Sequence, residues 1–392
     1  MAGVGKHSVL KSARVERGLT QAALAHQADI SRQALSAIEA GVYQPTVGVA
    51  LKLSRALGKS VEQLFAGDFE SKFERVAAVV LEAQEEPQAA QRPAHRPGLY
   101  LARVGGQIVA ATRPPVNLKL LPAAGVIERL VSHGAKAQVL AFRSAAEIDS
   151  TVLVAGCDPA GALLEEYMGR LPGNVRAVCL ERSSLAALRA LRAGMVHCAG
   201  VHLRNSSVET CAAAPRAASD FNFDAVRQAL GDEPFVMVHF ARWELGLAVP
   251  VGNPLEIRGP ADVARPGVRL ALREPGSGAR QALEQALAQS GLSLGRCART
   301  GPEVRSHLEA AATVAQGRAD AAATLRVAAE AFGLDFVTLR NERYDLVVTK
   351  QAAGETAVRA VIDALSSSRF AREVSSLCGY DTSAMGSVVE RS

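Results

Sequence analysis

Two sets of polar side chains in this sequence have the types and spacing for recognition chemistry. The first is Ser31-Arg32-Gln33. Ser31 is placed to cap a helix, so the Arg32 guanidinium and the Gln33 amide lie on its first turn. There such groups form paired hydrogen bonds with purine edges in the major groove. The second set is spread over residues 157–344. Cys157-Asp158, Ser183-Ser184 and Ser277-Gly278 each follow an apolar run and open a helix. A helix start offers free N–H groups to an anion, and glycine lets backbone come close, so Ser277 and Gly278 form a candidate anion cradle. Arg273 and Arg280 can pair a carboxylate or oxyanion. His307 can donate to a ligand, and the Tyr344 hydroxyl can reach the same place. Plainer roles stay open: capping for the hydroxyls and Asp158, solvent for Arg280, lobe packing for His307, bracing for Tyr344, and packing for Trp243.

The first set needs a scaffold, and the sequence supplies one. Thr20 can cap a short helix with Leu24 and Ala25 inside, a break follows at Ala28-Asp29-Ile30, and the helix after Ser31 turns Leu35 and Ile38 inward with Gly41 past its end. Two short helices around a tight turn make a helix-turn-helix. Val9–Arg17 reads as a preceding helix. Thr46 caps a later one carrying Val49, Leu53, Ala56 and Leu57 up to Gly58, and Ser60 caps a turn with Leu64 and Phe65. Of the overall charge of +5, residues 1–66 carry +4, from eight Lys or Arg against four Asp or Glu. The positive charge therefore sits with the segment that would meet phosphates.

Gln21, Leu24, Ala25, Ile30, Ser31, Leu35, Ser36, Ile38, Glu39, Gly41 and Pro45 resemble the pattern of the XRE family, the Cro and phage-repressor type of helix-turn-helix. The resemblance covers roughly Val9–Phe65. It implies five helices, with Gln21, Arg32, Gln33 and Ser36 facing double-stranded operator DNA, and an internal Glu39–Arg14 pair. Asp29 stands where the family usually has Gly at the turn; Asp tolerates the left-handed conformation better than most residues.

Phe69, Phe73, Val76 and Val80 recur at helical spacing over Phe69–Glu85, which predicts an amphipathic helix that either pairs two copies or docks on its own chain. Pro87–Pro97 reads as a linker. Leu99–Val104 and Gln107–Thr112 alternate about Gly105-Gly106 as a β-hairpin of no assigned role. From Thr151 onward strands and helices alternate, the pattern of parallel sheets with ligands at the carboxyl ends of strands. Expected domains are thus 1–67 for the helix-turn-helix, 68–98 for helix and linker, and 99–392 for ligand sensing. The cysteines at 157, 179, 198, 211, 297 and 378 lack CxxC spacing and read as reduced thiols. With no signal core and no membrane-length apolar run, the sequence predicts a soluble cytoplasmic protein with no membrane partner.

The stretches GCDPAGALL, SSLAALRALRAGMVHCAGVHL, VPVGNPLEIRGPADVARPGVRLALREPGSGAR, SHLEAAATVAQGRADAA and GLDFVTLRNERYDLVV resemble the periplasmic-binding-protein superfamily, and within it molybdate-binding-protein-like domains. The resemblance implies a multidomain chain: an all-α helix-turn-helix domain plus a two-lobed α/β domain (type II). Strands near Phe235–Val251 and Asp335–Thr349 would cross between the lobes, with a ligand in the cleft. The ligand is a molybdate-like oxyanion, which the Asp158 charge would oppose, or a small carboxylate or zwitterionic metabolite. No nucleophile elbow, metal-ligand spacing or phosphate loop is present, so no catalytic residues, metal or cofactor are expected. A ligand-responsive regulator, acting as a homodimer, is the expected function. A DNA-tethered enzyme is the alternative, and a transport protein would need an export signal and no DNA module.

Overall fold

Side chains just ahead of each helical run fix the first helices. Thr20 accepts a hydrogen bond from Ala23 N (3.1 Å), Ser31 from Ala34 N (3.0 Å) and Thr46 from Val49 N (3.5 Å). In the computed structural model, which describes residues 9–40, 43, 45–61, 64, 74–81, 99–112, 124–131, 136–203, 222–296 and 299–389, the chain divides into units Met1–Glu74 and Arg75–Ser392. The first unit holds α1 (Val9–Glu16), α2 (Gln21–Gln27), α3 (Arg32–Glu39) and α4 (Val47–Leu57). Their inward faces share one core of Leu10, Leu24, Leu35, Ile38, Leu53, Leu57 and Leu64. Asp29 takes the left-handed turn between α2 and α3 (φ 53°). A buried pair ties α1 to α3: Arg14 Nε lies 2.6 Å from Glu39 Oε1, as the XRE resemblance implies. Gly41 and Phe65 lie outside the described residues.

The helix expected over Phe69–Glu85 is not formed where that segment is described. Glu74–Val80 is a strand, β1, pairing in parallel with β3 (Gln107–Thr112). The run RVAAVV alternates: Ala78 and Val80 are buried, Val76 half-buried and Ala77 exposed. Period two combined with β-branched valines outweighs the helical spacing, two members of which, Phe69 and Phe73, lie outside the described residues. The helical dimer seam is thereby lost. The linker Pro87–Pro97 also lies outside them.

β2 (Leu99–Val104) and β3 form the expected hairpin, and with β4 (Gly125–Val131) and β5 (Lys136–Ala141) they close a small barrel in the order β1-β3-β2-β4-β5. Ala102, Val104, Val109 and Ala111 join the apolar core of the adjoining lobe. His197 stitches the two: its Nδ1 accepts from Leu153 N (2.9 Å), which leaves Nε2–H to donate to Arg103 O (2.9 Å). Burial holds this ring below its ordinary pKa, the neutral form those bonds require. After α5 (Ala145–Asp149) the chain enters a ten-stranded sheet.

The first lobe carries β6 (Thr151–Gly156), α6 (Gly161–Arg170), β7 (Arg176–Glu181), α7 (Ser184–Arg192), β8 (Cys198–Val201) and α8 (Phe223–Leu230). β9 (Phe235–Val249) then crosses to the second lobe of β10 (Arg269–Arg273), α9 (Gly278–Gln289), β11 (Arg299–Val304), α10 (His307–Ala315), β12 (Ala321–Leu325) and α11 (Arg326–Ala331). β13 (Asp335–Thr349) returns antiparallel to β9. The remainder, α12 (Thr356–Leu365), α13 (Ser368–Ser375), β14 (Tyr380–Asp381) and β15 (Val388–Val389), packs back on the first lobe, with both short strands pairing β9. The crossing ladder shifts register between Thr338 and Arg340 and again between Tyr344 and Asp345. Between these irregularities Glu342 stands opposite Trp243. Among the described residues no helix is long and apolar enough to span a membrane.

Candidate functional site

On α3, Ser31, Arg32, Gln33 and Ser36 are all exposed. Ser31 is occupied as the cap, while no described partner takes the Arg32 or Gln33 head groups, so both remain available to a base edge. Gln21 differs. Expected to face DNA, it is half-buried, and its amide N–H donates to Glu39 Oε2 (2.8 Å), extending the Arg14–Glu39 pair. Burial works against ionised Glu39, but these bonds more than offset it and hold its carboxyl below the usual range.

In the second unit the carboxyl ends of strands from both lobes converge between the ladder irregularities. β6 delivers Cys157 and Asp158, β8 delivers His202, β10 ends in Arg273, and the α10 start supplies His307. His202 is the centre. Its Nε2 lies 3.1 Å from Cys157 Sγ, its Nδ1 lies 2.6 Å from Glu342 Oε2, and its backbone N donates to Ser184 Oγ (3.1 Å). Burial alone would lower this ring's pKa, but Cys157 and Glu342 on either side raise it to about 10. His307 is fully buried and held well below its ordinary value, by burial first and then by Arg273 and His202. It is therefore a neutral imidazole. Trp243, 1% exposed, packs against Tyr344 (ring centroids 4.7 Å apart), His202 (5.2 Å) and Tyr380 (5.8 Å).

Asp158 Oδ1 accepts from Ala160 N (2.9 Å) and from the Tyr380 hydroxyl. Burial pushes this carboxyl up to about 7, past the opposing pull of those two donors. Arg273, 1% exposed, is clasped by Glu274 (2.9 and 3.2 Å) and donates to Arg305 O (3.1 Å). Four buried polar atoms here find no partner among the described residues: Asp158 Oδ2, Trp243 Nε1, Arg273 Nη1 and His307 Nε2.

The side chains of the expected anion cradle take part in bonds within the fold. Ser183 Oγ accepts from Ala186 N (3.4 Å), Ser184 Oγ from His202 N, and Ser277 bonds Arg280 N (3.3 Å) and Glu274 O (3.0 Å). A Cβ at Gly278 would stand 2.3 Å from His202 O, so glycine is there to admit the opposite lobe. Arg280 pairs Glu284 (3.0 Å) and Arg273 O (3.2 Å), turned to its own lobe. Ser183 and Ser277 cap α7 and α9, Ser184 holds the His202 backbone, and Arg280 pairs within its own lobe. Tyr344 braces: its hydroxyl would lie 1.7 Å from a Cβ at Gly200 and 2.1 Å from one at Gly156. Gly200→Ala is therefore expected to cost about 1–3 kcal/mol in denaturant unfolding, because a methyl there must displace a buried ring; an unchanged midpoint would contradict that packing.

His202, Glu342 and Tyr380 were not singled out from sequence, and Trp243 was taken for packing alone. The available signal for His202 was position: it is the first residue after the buried strand Cys198–Val201, as Cys157 is after β6. Metal-ligand spacing is absent along the chain. Yet folding brings Cys157, His202 and His307 together, with a sulfur and two ring nitrogens within 4.8 Å of one another.

Comparison with known proteins agrees with this architecture. The family model described as Helix-turn-helix matches residues 10–64, and the one described as PBP superfamily domain matches residues 164–366. The Bacillus subtilis protein YvgK is 36% identical over 169 residues, 43% of this chain and 54% of that protein, so the chain spans about half that relative's length. An HTH-type transcriptional regulator of Methanothermobacter thermautotrophicus is 37% identical over 62 residues, 16% of this chain and 90% of that protein. The sulfate-binding protein SubI from Mycobacterium tuberculosis superposes with a TM-score of 0.43 at 17% identity, covering 59% of this chain and 86% of that one. The chain belongs to the PBP superfamily domain family and carries an XRE-type helix-turn-helix, a regulator architecture fused to a two-lobed ligand-binding domain.

Proposed function

We propose that this chain is a ligand-responsive transcription regulator that reads operator DNA with Arg32, Gln33 and Ser36 and senses a small anionic or zwitterionic molecule between its lobes. The observation that carries the sensing half is the set of buried polar atoms without described partners, Arg273 Nη1 at the end of β10, Trp243 Nε1 on β9 and Asp158 Oδ2 just past β6. Unpaired buried donors are costly, and a ligand that accepts from them recovers that cost. The Asp158 charge counted against an oxyanion in the sequence. A carboxyl raised to about 7 is neutral in a large fraction of molecules near neutral pH, so it can donate to an oxyanion or, ionised, accept from an ammonium. Molybdate is the oxyanion that the family resemblance suggests, and a small carboxylate or amino acid is the other candidate. A ligand that prefers closed lobes shifts the regulator by its differential affinity, about 1.4 kcal/mol for tenfold preference. A homodimer on an inverted repeat, with half-sites about one helical turn (~34 Å) apart, completes the reading.

The test joins both halves. Native mass spectrometry of the full chain should reveal a non-covalently held small anion. Titration of operator and scrambled DNA should show Arg32→Ala and Gln33→Ala each losing about 1–3 kcal/mol of discrimination at one base pair, with little change on scrambled DNA. Equal losses on both DNAs, or operator affinity indifferent to the molecule found, would reject the reading. The rival, a DNA-tethered enzyme, has one feature in its favour: Cys157, His202 and Glu342 stand in the order nucleophile, base and orienting carboxylate. The same spectra would expose it as a covalent adduct on Cys157.

A further inference from the structure

The geometry points to a binding site for a thiophilic d10 cation, zinc(II) or copper(I), held by Cys157 Sγ, His202 Nε2 and His307 Nε2. The three side chains come from three segments far apart in sequence, are at most 3% exposed, and place their ligand atoms within 4.8 Å of one another. Sulfur with two imidazoles is a donor set that favours zinc and copper(I) over the oxygen-loving cations.

Each ring is held so that the ligating nitrogen faces inward. His202 Nδ1 is taken by Glu342 Oε2 at 2.6 Å, which leaves Nε2 toward Cys157. Thr324 donates its hydroxyl to His307 O (2.8 Å), so its oxygen can accept from His307 Nδ1 (3.4 Å). That arrangement leaves the His307 Nε2 lone pair as the atom without a described partner. A second nitrogen fixed by a carboxylate or hydroxyl is how proteins orient ligating histidines. Zn–S near 2.3 Å and Zn–N near 2.0–2.1 Å put tetrahedral ligand atoms roughly 3.3–3.7 Å apart. The observed 3.1 Å between Cys157 Sγ and His202 Nε2 is close to that, and His307 offers a ring nitrogen within 4.8 Å of both.

Charge also fits. The Arg273 guanidinium beside the tripod is already clasped by Glu274. Glu342 supplies a second negative charge, itself bridged to Arg340 (2.8 Å). A bound cation displaces the proton that sulfur and ring share, which leaves for solvent. Copper(I) then leaves the local charge unchanged, and zinc adds one unit. The tripod and the anion donors share the cleft but use different atoms, so this inference goes beyond the proposed effector reading.

The test uses the full chain after treatment with a chelator. Cobalt(II), as a spectroscopic stand-in for zinc, should bind one ion per chain with a thiolate-to-metal charge-transfer band, and zinc should displace it. Copper(I) offered with a competing chelator separates the two cations by relative affinity. Cys157→Ser should abolish the band, His307→Gln should weaken binding severely, and Glu342→Gln should weaken it 10–100-fold while the band persists. Thermal melts check that each variant folds. The unsubstituted, chelator-treated chain is decisive without the variants: absence of a thiolate band, together with no uptake of zinc or copper(I), overturns the site. A band that survives in folded Cys157→Ser overturns it too. Calorimetry of the chelator-treated chain with molybdate and with sulfate reads the anion proposal separately, so either idea can fail alone.

Discussion

Asp345→Ala is expected to destabilise the second unit by about 3–5 kcal/mol, the size of effect seen when one partner of a buried ion pair is removed. Asp345 is fully buried in β13. Its Oδ1 accepts from Arg343 Nε (2.7 Å) and His239 Nδ1 (2.9 Å), and its Oδ2 from Asn222 Nδ2 (2.7 Å). Asn222 also accepts from Leu203 N (2.5 Å), so one carboxylate anchors β9, β13 and the backbone just past β8. Alanine would strand a guanidinium only 7% exposed, along with two further donors. Asp345→Asn keeps an acceptor and should lose less. Denaturant unfolding of both variants checks this: a loss below about 1 kcal/mol for alanine would mean that water or a rearranged side chain replaces the carboxylate.

A second large effect should appear only as pH changes. The Asp158 carboxyl is raised to about 7 when folded, against an ordinary 3.8, so the folded state holds its proton more tightly than the unfolded chain. Stability from this group is therefore full below the unfolded pKa and is lost as pH rises through about 7, by roughly 4 kcal/mol for a shift of three units. Asparagine has no proton to lose and can still accept from Ala160 N and the Tyr380 hydroxyl. Asp158→Asn should thus match the original chain near pH 4 and exceed it in unfolding free energy near pH 8. His202, raised to about 10, keeps its proton in the folded state across this range in both proteins, so the difference reads Asp158. A difference that stays constant with pH would show that the carboxyl ionises freely in the fold.

What could be read from sequence follows the range of the forces involved. Caps act over three residues, so Thr20, Ser31 and Thr46 marked the helix starts of the first unit correctly. Buried strands such as Thr151–Gly156 were visible as short apolar runs. β1 was missed because a window containing Phe69 and Phe73 imposed helical spacing on a segment whose valines alternate, and its pairing partner β3 lies about thirty residues on. The cleft was half legible. Cys157, Asp158, Arg273, His307 and Tyr344 were nominated and do meet. The hydroxyls of Ser183, Ser184 and Ser277, nominated for an anion, each accept from a backbone N–H, and capping is a local need that sequence cannot distinguish from ligation. Glu342 lies inside a long strand where a charged residue looks like a solvated face; pairing with β9 sets it opposite Trp243, and pairing of β13 with β8 brings it to His202.

Tyr380, which bonds Asp158, sits on β14, and β15 follows on the flank of β9. A ribosome makes these residues after everything else described. Helices α1 to α4 can fold while more than three hundred residues are still to be translated, and domains do fold as units from the N-terminal end. The cleft cannot be walled until residues 380–389 emerge. Nascent chains would consequently carry a finished helix-turn-helix and an unfinished two-lobed domain.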